Sequence, residues 1–203
     1  PRVTPFLLVL SSPSGGGKTT IARSLLQART DVGYSVSATT RPPRPGERDG
    51  HDYHFLTGAE FERRVVAGEF LEHATYGGHR YGTLRAEIDR VLGNGCHAVL
   101  DIEVEGARQV MDRMPDAVRV FVLPPSARVL VERLRSRDTE TPETRRVRLA
   151  RAAEELLAVT EYDYVVVNDD LVSAVAQVAA ILDAEGRKAS RMADLEEMVA
   201  RLR

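Results

Sequence analysis

Ser12-Pro13-Ser14-Gly15-Gly16-Gly17-Lys18-Thr19 follows an unbroken apolar run, Phe-Leu-Leu-Val-Leu, at positions 6–10. Such a run reads as a strand buried on both faces. Beyond the glycines, Ile21, Ala22, Leu25 and Leu26 recur at helical spacing. Strand, glycine loop and helix form the context in which such a loop cradles phosphate. Gly15, Gly16 and Gly17 let successive backbone N–H groups turn inward around an anion. The helix they open adds the positive end of its dipole. Lys18 is a point charge for β- and γ-phosphates, and the Thr19 hydroxyl can reach Mg²⁺. The spacing is that of a Walker A loop with Ser12 in place of the first glycine. A serine-hydrolase elbow is excluded, because Ser14 lacks the glycine two positions earlier.

Working outward, short apolar strands are expected at 34–37, 97–101, 118–123 and 164–168. Helices are expected from an N-cap at Thr83 to about 92, and at 105–114, 127–137, 142–159, 171–184 and 192–202. Buried strands alternating with helices mean an α/β fold with a parallel sheet covered on both faces. Residues 39–83 break that alternation and read as an inserted subdomain. It contains a helix at 58–67, a strand at 70–76 and a hairpin at Gly77-Gly78.

The 203 residues are 43% hydrophobic and 29% charged, an ordinary folded composition. The net charge of −2 gives no overall positive field for nucleic acid. No apolar stretch is long enough to span a bilayer, and no signal-peptide pattern follows Arg2. Cys96 is the lone cysteine, so an intrachain disulfide is impossible. A cytoplasmic protein with no nucleic-acid or membrane partner is expected, as a monomer or homodimer. Lys18 and Lys188 are the only lysines, which makes the placement of Lys18 more notable.

In the insert, Arg41 and Arg44 lie three apart among prolines, which limit the entropy lost on fixing them. Two guanidinium forks suit a phosphate, with Tyr53 and Tyr81 as neutral donors, although a solvated basic loop reads equally well. Glu72 follows Phe70 and Leu71. A buried carboxylate there needs paired donors. Guanine has two adjacent ones, N1–H and its amino group, whereas adenine presents an acceptor at N1. The alternative is a solvent-facing residue on an alternating strand. Downstream, arginines cluster on both sides of residues 138–141. A solvated helix face explains many such runs, but phosphoryl transfer also needs cations closing over the moving group.

Several motifs together resemble guanylate kinases. They are Ser37-x-Thr39-Thr40-Arg41-x-x-Arg44-x-Gly46-Glu47, Asp52-Tyr53-x-Phe55, Phe70-Leu71-Glu72-His73-Ala74, Tyr81-Gly82-Thr83, Leu100-Asp101-Ile102 with Gly106, Pro124-Pro125-Ser126 and Val167-Asn168-Asp169-Asp170. The resemblance runs in unbroken order over residues 6–184. It implies a P-loop nucleoside monophosphate kinase that uses ATP and Mg²⁺ to phosphorylate GMP. The implied division is a core (1–36, 95–131, 160–203), a GMP-binding insert (37–94) and a lid (132–159).

The resemblance also implies the site. ATP would lie on Ser14, Gly15, Gly16, Gly17, Lys18, Thr19 and Thr20, with Asn168. Arg41, Arg44, Tyr53 and Tyr81 would take the GMP phosphate, and Ser37, Glu72, Thr83, Asp101 and Glu103 the rest of GMP. Lys18, Arg133, Arg137, Arg148 and Asp101 would serve catalysis, with Asp101 ordering the Mg²⁺ water shell or the arginines. Arg135, Arg145, Arg146 and Arg151 are left to the solvated face. Ser12, Glu103 and Asp138 stand where the family usually has glycine, aspartate and glycine. A catalytically dead interaction module is a rival, but such modules degrade the phosphate loop, which is intact here. A kinase for a phosphorylated sugar is another, and it would not need Glu72 with Ser37.

Overall fold

The computed structural model describes residues 2–135 and 142–203. Strand β1 (Leu7–Ser11) leads through the glycine loop to helix α1 (Lys18–Ala28) and strand β2 (Val32–Tyr34). The chain then builds β3 (Ala38–Thr39), β4 (His54–Phe55), α2 (Gly58–Val66), β5 (Phe70–Tyr76) and β6 (His79–Leu84). It continues through α3 (Arg85–Gly93), β7 (His97–Asp101), α4 (Val104–Arg113), β8 (Val118–Leu123), α5 (Ala127–Arg135) and α6 (Pro142–Leu157). Strand β9 (Tyr164–Val167), α7 (Leu171–Gly186) and a short α8 (Leu195–Ala200) complete it.

The core sheet has the order β2-β7-β1-β8-β9, and each neighbouring pair is parallel. Strand alternation explains why β1 is apolar throughout. Leu8 and Leu10 pack with Ile21 and Leu25 of α1 and with Val178 and Leu182 of α7. Leu7 and Val9 face the other way, toward Ile88 and Val91 of α3 and Val110 of α4. Each of these buried aliphatic side chains contributes roughly 1.5–3 kcal/mol. The strand order reverses direction around β1, which opens a crevice beyond the C-terminal strand ends. Register places Leu10 beside Asp101, so the end of β7 borders the glycine loop.

The insert has its own sheet, ordered β4-β3-β6-β5, over a small core of Ala38, Phe61, Phe70 and Leu84. Its hairpin turns through Gly77 and Gly78 at φ 57° and 79°, the positive values that such a tight turn demands. The pair α5–α6 shares Leu130, Leu134 and Ala152.

Four sequence expectations shift. The second strand ends at Tyr34 rather than running to 37, because the Val36 N–H is taken by the Glu87 carboxylate at 3.3 Å. Thr83 is a strand residue opposite Glu72, not a helix cap, and Leu84 caps α3. Helix α3 packs on the core through Ile88 and Val91, although the sequence division put it with the insert. The terminal helix shrinks to Leu195–Ala200, because Met192 is held extended in a bridge to Val3.

Phe61 is fully buried and stacks on Phe70 with centroids 4.4 Å apart. Phe61→Ala should cost about 3–5 kcal/mol locally. Hydrogen exchange should then accelerate across β5 and β6 while β1 and β8 keep their protection. Equal loss in both sheets would show that the insert is not a separate cooperative unit.

Candidate active site

A cavity of about 920 Å³ opens at the crevice, bounded by Lys18, Tyr34, Glu72, Tyr81, Asp101 and Glu103 among others. That volume suits nucleotide-sized ligands. Gly15 and Gly17 adopt φ 85° and 96°, and Gly17 is the N-cap of α1. A Cβ on Gly17 would come within 2.3 Å of Asn168 Nδ2. Asn168 thus braces the loop from behind, donating to the Gly16 carbonyl at 3.0 Å, and it does not line the cavity. Ser12 adds no backbone strain, since among the described residues no non-glycine has positive φ. Thr20 lies exposed on α1.

Thr19 is exposed, and its Oγ1 donates to Asp101 Oδ2 at 2.5 Å. Tyr34 Oη donates to the other oxygen, Oδ1, at 2.6 Å. Beside this pair, Lys18 Nζ meets Glu103 Oε1 at 2.8 Å. Burial alone would lower the Lys18 pKa. The Glu103 charge and hydrogen bond outweigh it and hold the ammonium above its ordinary range. Burial likewise opposes ionisation of Glu103, but Lys18 wins and holds that carboxyl below its usual value. Glu103 lines the same cavity as Glu72, with its carboxylate paired to Lys18. Glu155 of α6 accepts from Ser14 N at 3.0 Å, and Arg151 Nε from the same helix donates to it at 3.0 Å. Burial and then the Glu103 charge push Glu155 up.

On the insert side, a bulge between Phe70 and Glu72 breaks the alternation of β5. Phe70, Leu71 and Glu72 are consequently all buried. Glu72 Oε1 accepts from Thr83 Oγ1 at 2.7 Å. Its Oε2 lies against α4, where a Cβ on Gly106 would approach it to 2.6 Å. Burial raises the Glu72 pKa, with the Thr83 hydrogen bonds and the Arg113 charge partly opposing. Ser37, Tyr53 and Tyr81 line the same cavity. Arg41 makes a two-bond fork with Glu47, at 2.9 Å for each bond, and its guanidinium sits 5.3 Å from the Tyr53 ring centroid. Glu47 also accepts from Arg44 N at 2.7 Å. The Arg44 side chain is exposed and does not line the cavity.

Of the arginines on α5 and α6, Arg133 Nη2 donates to the Asn168 carbonyl and Arg148 Nη2 to Ser14 Oγ, both at 3.0 Å. Arg137 lies outside the described residues. Arg146 is exposed, as expected. Arg151 is not on a solvated face: it lines the cavity and lies 4.7 Å from the Tyr76 ring centroid.

A guanylate kinase family model matches residues 5–185. The chain belongs to the guanylate kinase family. The guanylate kinase of Paramagnetospirillum magneticum is 48% identical over 199 residues, 98% of this chain and 93% of that one. That of Frankia casuarinae is 52% identical over 176 residues, 87% of this chain and 96% of its own. The crystal structure of guanylate kinase from Anaplasma phagocytophilum superposes with a TM-score of 0.79 at 36% identity, covering 98% and 95% of the two chains.

For a guanylate kinase, the residues missed from sequence are informative. Tyr34, Glu47, Arg151 and Glu155 all touch the site. The motif quoted from the insert ends in Glu47, but nothing local shows that it clamps Arg41. Glu155 and Arg151 lie one helical turn apart on α6, a spacing that signals an ion pair rather than its target.

Two predictions follow from the carboxylates of this guanylate kinase. The raised Glu72 pKa means the fold favours the protonated acid, so that contribution is complete below the unfolded pKa and is lost as pH rises through the folded one. Glu72→Gln should therefore melt higher than wild type by roughly 2–4 °C near neutral pH, with the gap closing toward pH ~5. A wild type as stable as the variant throughout would show that the carboxylate is not desolvated. Glu103→Gln removes the counter-charge paired with Lys18. Calorimetric titration should find ATP bound several-fold more tightly, and weaker binding would assign Glu103 to ATP itself.

Proposed function

We propose the following division of labour for the transfer of the γ-phosphoryl group from ATP to GMP, the reaction of this enzyme. The glycine loop at Gly15, Gly16 and Gly17 binds the ATP phosphates, with Ser14, Lys18, Thr19 and Thr20; for this the Gly16 N–H turns from the Pro13 carbonyl, to which it donates at 2.8 Å. Lys18 moves from Glu103 to the β- and γ-oxygens. Asn168 acts indirectly by holding Gly16. The Thr19 hydroxyl gives its hydrogen to Asp101, so its lone pairs face the cavity, a hard-oxygen donor that fits Mg²⁺. Mg²⁺, when bound, supplies charge neutralisation on the phosphates of ATP.

GMP enters from the insert side. Glu72 accepts from guanine N1–H and the amino group, Ser37 donates to O6, and Thr83 orients Glu72. Tyr53, Tyr81, Arg41 and Arg44 take the phosphate, for which Arg41 exchanges its Glu47 partner. Arg133, Arg137 and Arg148 surround the transferred group as residues 132–159 close, excluding water. The phosphate oxygen of GMP attacks the γ-phosphorus in line, and the Pγ–O bond to ADP breaks. No residue is needed as a strong base, and the protein contributes positioning and charge. The observation that carries the base assignment is Glu72, buried to 5% exposure yet aimed into the cavity.

Among the described residues, no helix is long and apolar enough to cross a membrane. A cytoplasmic enzyme acting on ATP and GMP, without nucleic-acid partners and as a monomer or homodimer, agrees with this and with the −2 net charge.

The test is ADP release from ATP and Mg²⁺ with GMP, AMP, CMP or UMP. GMP should exceed AMP by about 10⁴ or more, the discrimination expected when a site built for donors meets a base lacking one. Glu72→Gln should lose most GMP turnover and narrow that gap. Turnover within a few-fold of wild type would place guanine recognition elsewhere.

A further inference from the structure

Tyr34 has no part in the roles above. It ends β2 beside Val99, two residues before Asp101 on the adjacent strand. Its hydroxyl donates to Asp101 Oδ1 at 2.6 Å, while Asp101 Oδ2 accepts from Thr19 at 2.5 Å. Burial, and then the Asp101 charge, push the phenol well above its ordinary range, so it stays a neutral donor at working pH.

A carboxylate at a cavity edge with an uncommitted oxygen turns it toward the nearest cation. Here that would be Lys18, whose charge already feels Asp101, or a bound metal. Tyr34 anchors Oδ1 and so fixes the rotation of the carboxylate, leaving Oδ2 aimed at Thr19, whose single hydrogen it holds. A hydroxyl whose hydrogen is fixed on one side must present its lone pairs on the other. We infer that Tyr34 is a positioning residue for the cation side of phosphoryl transfer: it locks Asp101 so that Thr19 offers an oxygen lone pair to Mg²⁺. This rests on the reading that Thr19 faces Mg²⁺. The Tyr34 position is also the last one in the core sheet before the chain leaves for the insert. The same residue therefore fixes the metal-side carboxylate and the root of the GMP-binding segment.

Tyr34→Phe keeps the ring and removes only the hydroxyl. The readout is the ratio of the ATP dissociation constant in EDTA to that in saturating Mg²⁺, measured by calorimetry. In Tyr34→Phe this ratio should fall about tenfold, the scale of losing a group that orients a metal ligand, while metal-free ATP affinity and GMP affinity stay within about twofold. Asp101→Asn, which cuts the link from the other side, should give a similar fall, and adding Tyr34→Phe to it should change nothing further. An unchanged ratio in Tyr34→Phe with the melting temperature retained overturns the proposal. So does a proportional loss of metal-free ATP and GMP binding, which would make Tyr34 a shaper of the cavity. A wild type whose ATP affinity ignores Mg²⁺ overturns the Thr19 reading itself, and the proposal with it.

Discussion

An ammonium group sunk at the mouth of a helix has to be paired, and most of this site follows from how Lys18 is paired. Its partner, Glu103, is the N-cap residue of α4 but makes no capping hydrogen bond with its side chain. The carboxylate that would satisfy the helix end goes instead to the lysine at 2.8 Å. The pairing exists because β1 and β7 run parallel in a register that sets Leu10 beside Asp101, bringing the two loops after these strands together. Once Glu103 is fixed there, the next carboxylate along, Glu155, feels like charge and is driven toward its protonated form. Three charged groups thus depend on one strand pairing.

Glu72 is the opposite case. It is as buried as the residues around it, yet among the described residues its hydrogen-bond partner is uncharged Thr83, through hydroxyl and backbone. A carboxylate in that position is a cost to the empty fold, and it is retained by geometry alone. The bulge at Leu71 turns it inward, and Gly106 leaves the gap on α4 that its Oε2 occupies.

These two cases also explain what the sequence disclosed. The phosphate loop was legible because its determinants are local: three glycines, a lysine and a threonine between a buried strand and a helix. The alternating elements of the core were legible for the same reason. Which way Glu72 points was not, since it is set by a bulge and by a glycine more than thirty positions away. Period-two counting favoured solvent. Thr83 looked like a helix cap because its composition fits one, and only pairing with β5 shows otherwise. Arg151 sat in a run of arginines whose faces cannot be separated without knowing where α6 docks. Glu103 was assigned by its motif, and the motif does not reveal that Lys18 reaches it first.

The contacts that join the moving parts are also graded. Helix α6 holds the glycine loop through two bonds on Ser14, from Arg148 and to Glu155, each involving a charged group. Such bonds contribute about 1.5–3 kcal/mol apiece. Between α6 and the insert hairpin, the face of Tyr76 meets Arg151, a side chain that is 38% exposed. A cation over a ring at such a site contributes only about 0.5–1 kcal/mol. Separating the hairpin from α6 therefore loses much less than lifting α6 from the phosphate loop. The hairpin border of the cavity is thus held more weakly to α6 than the glycine loop is.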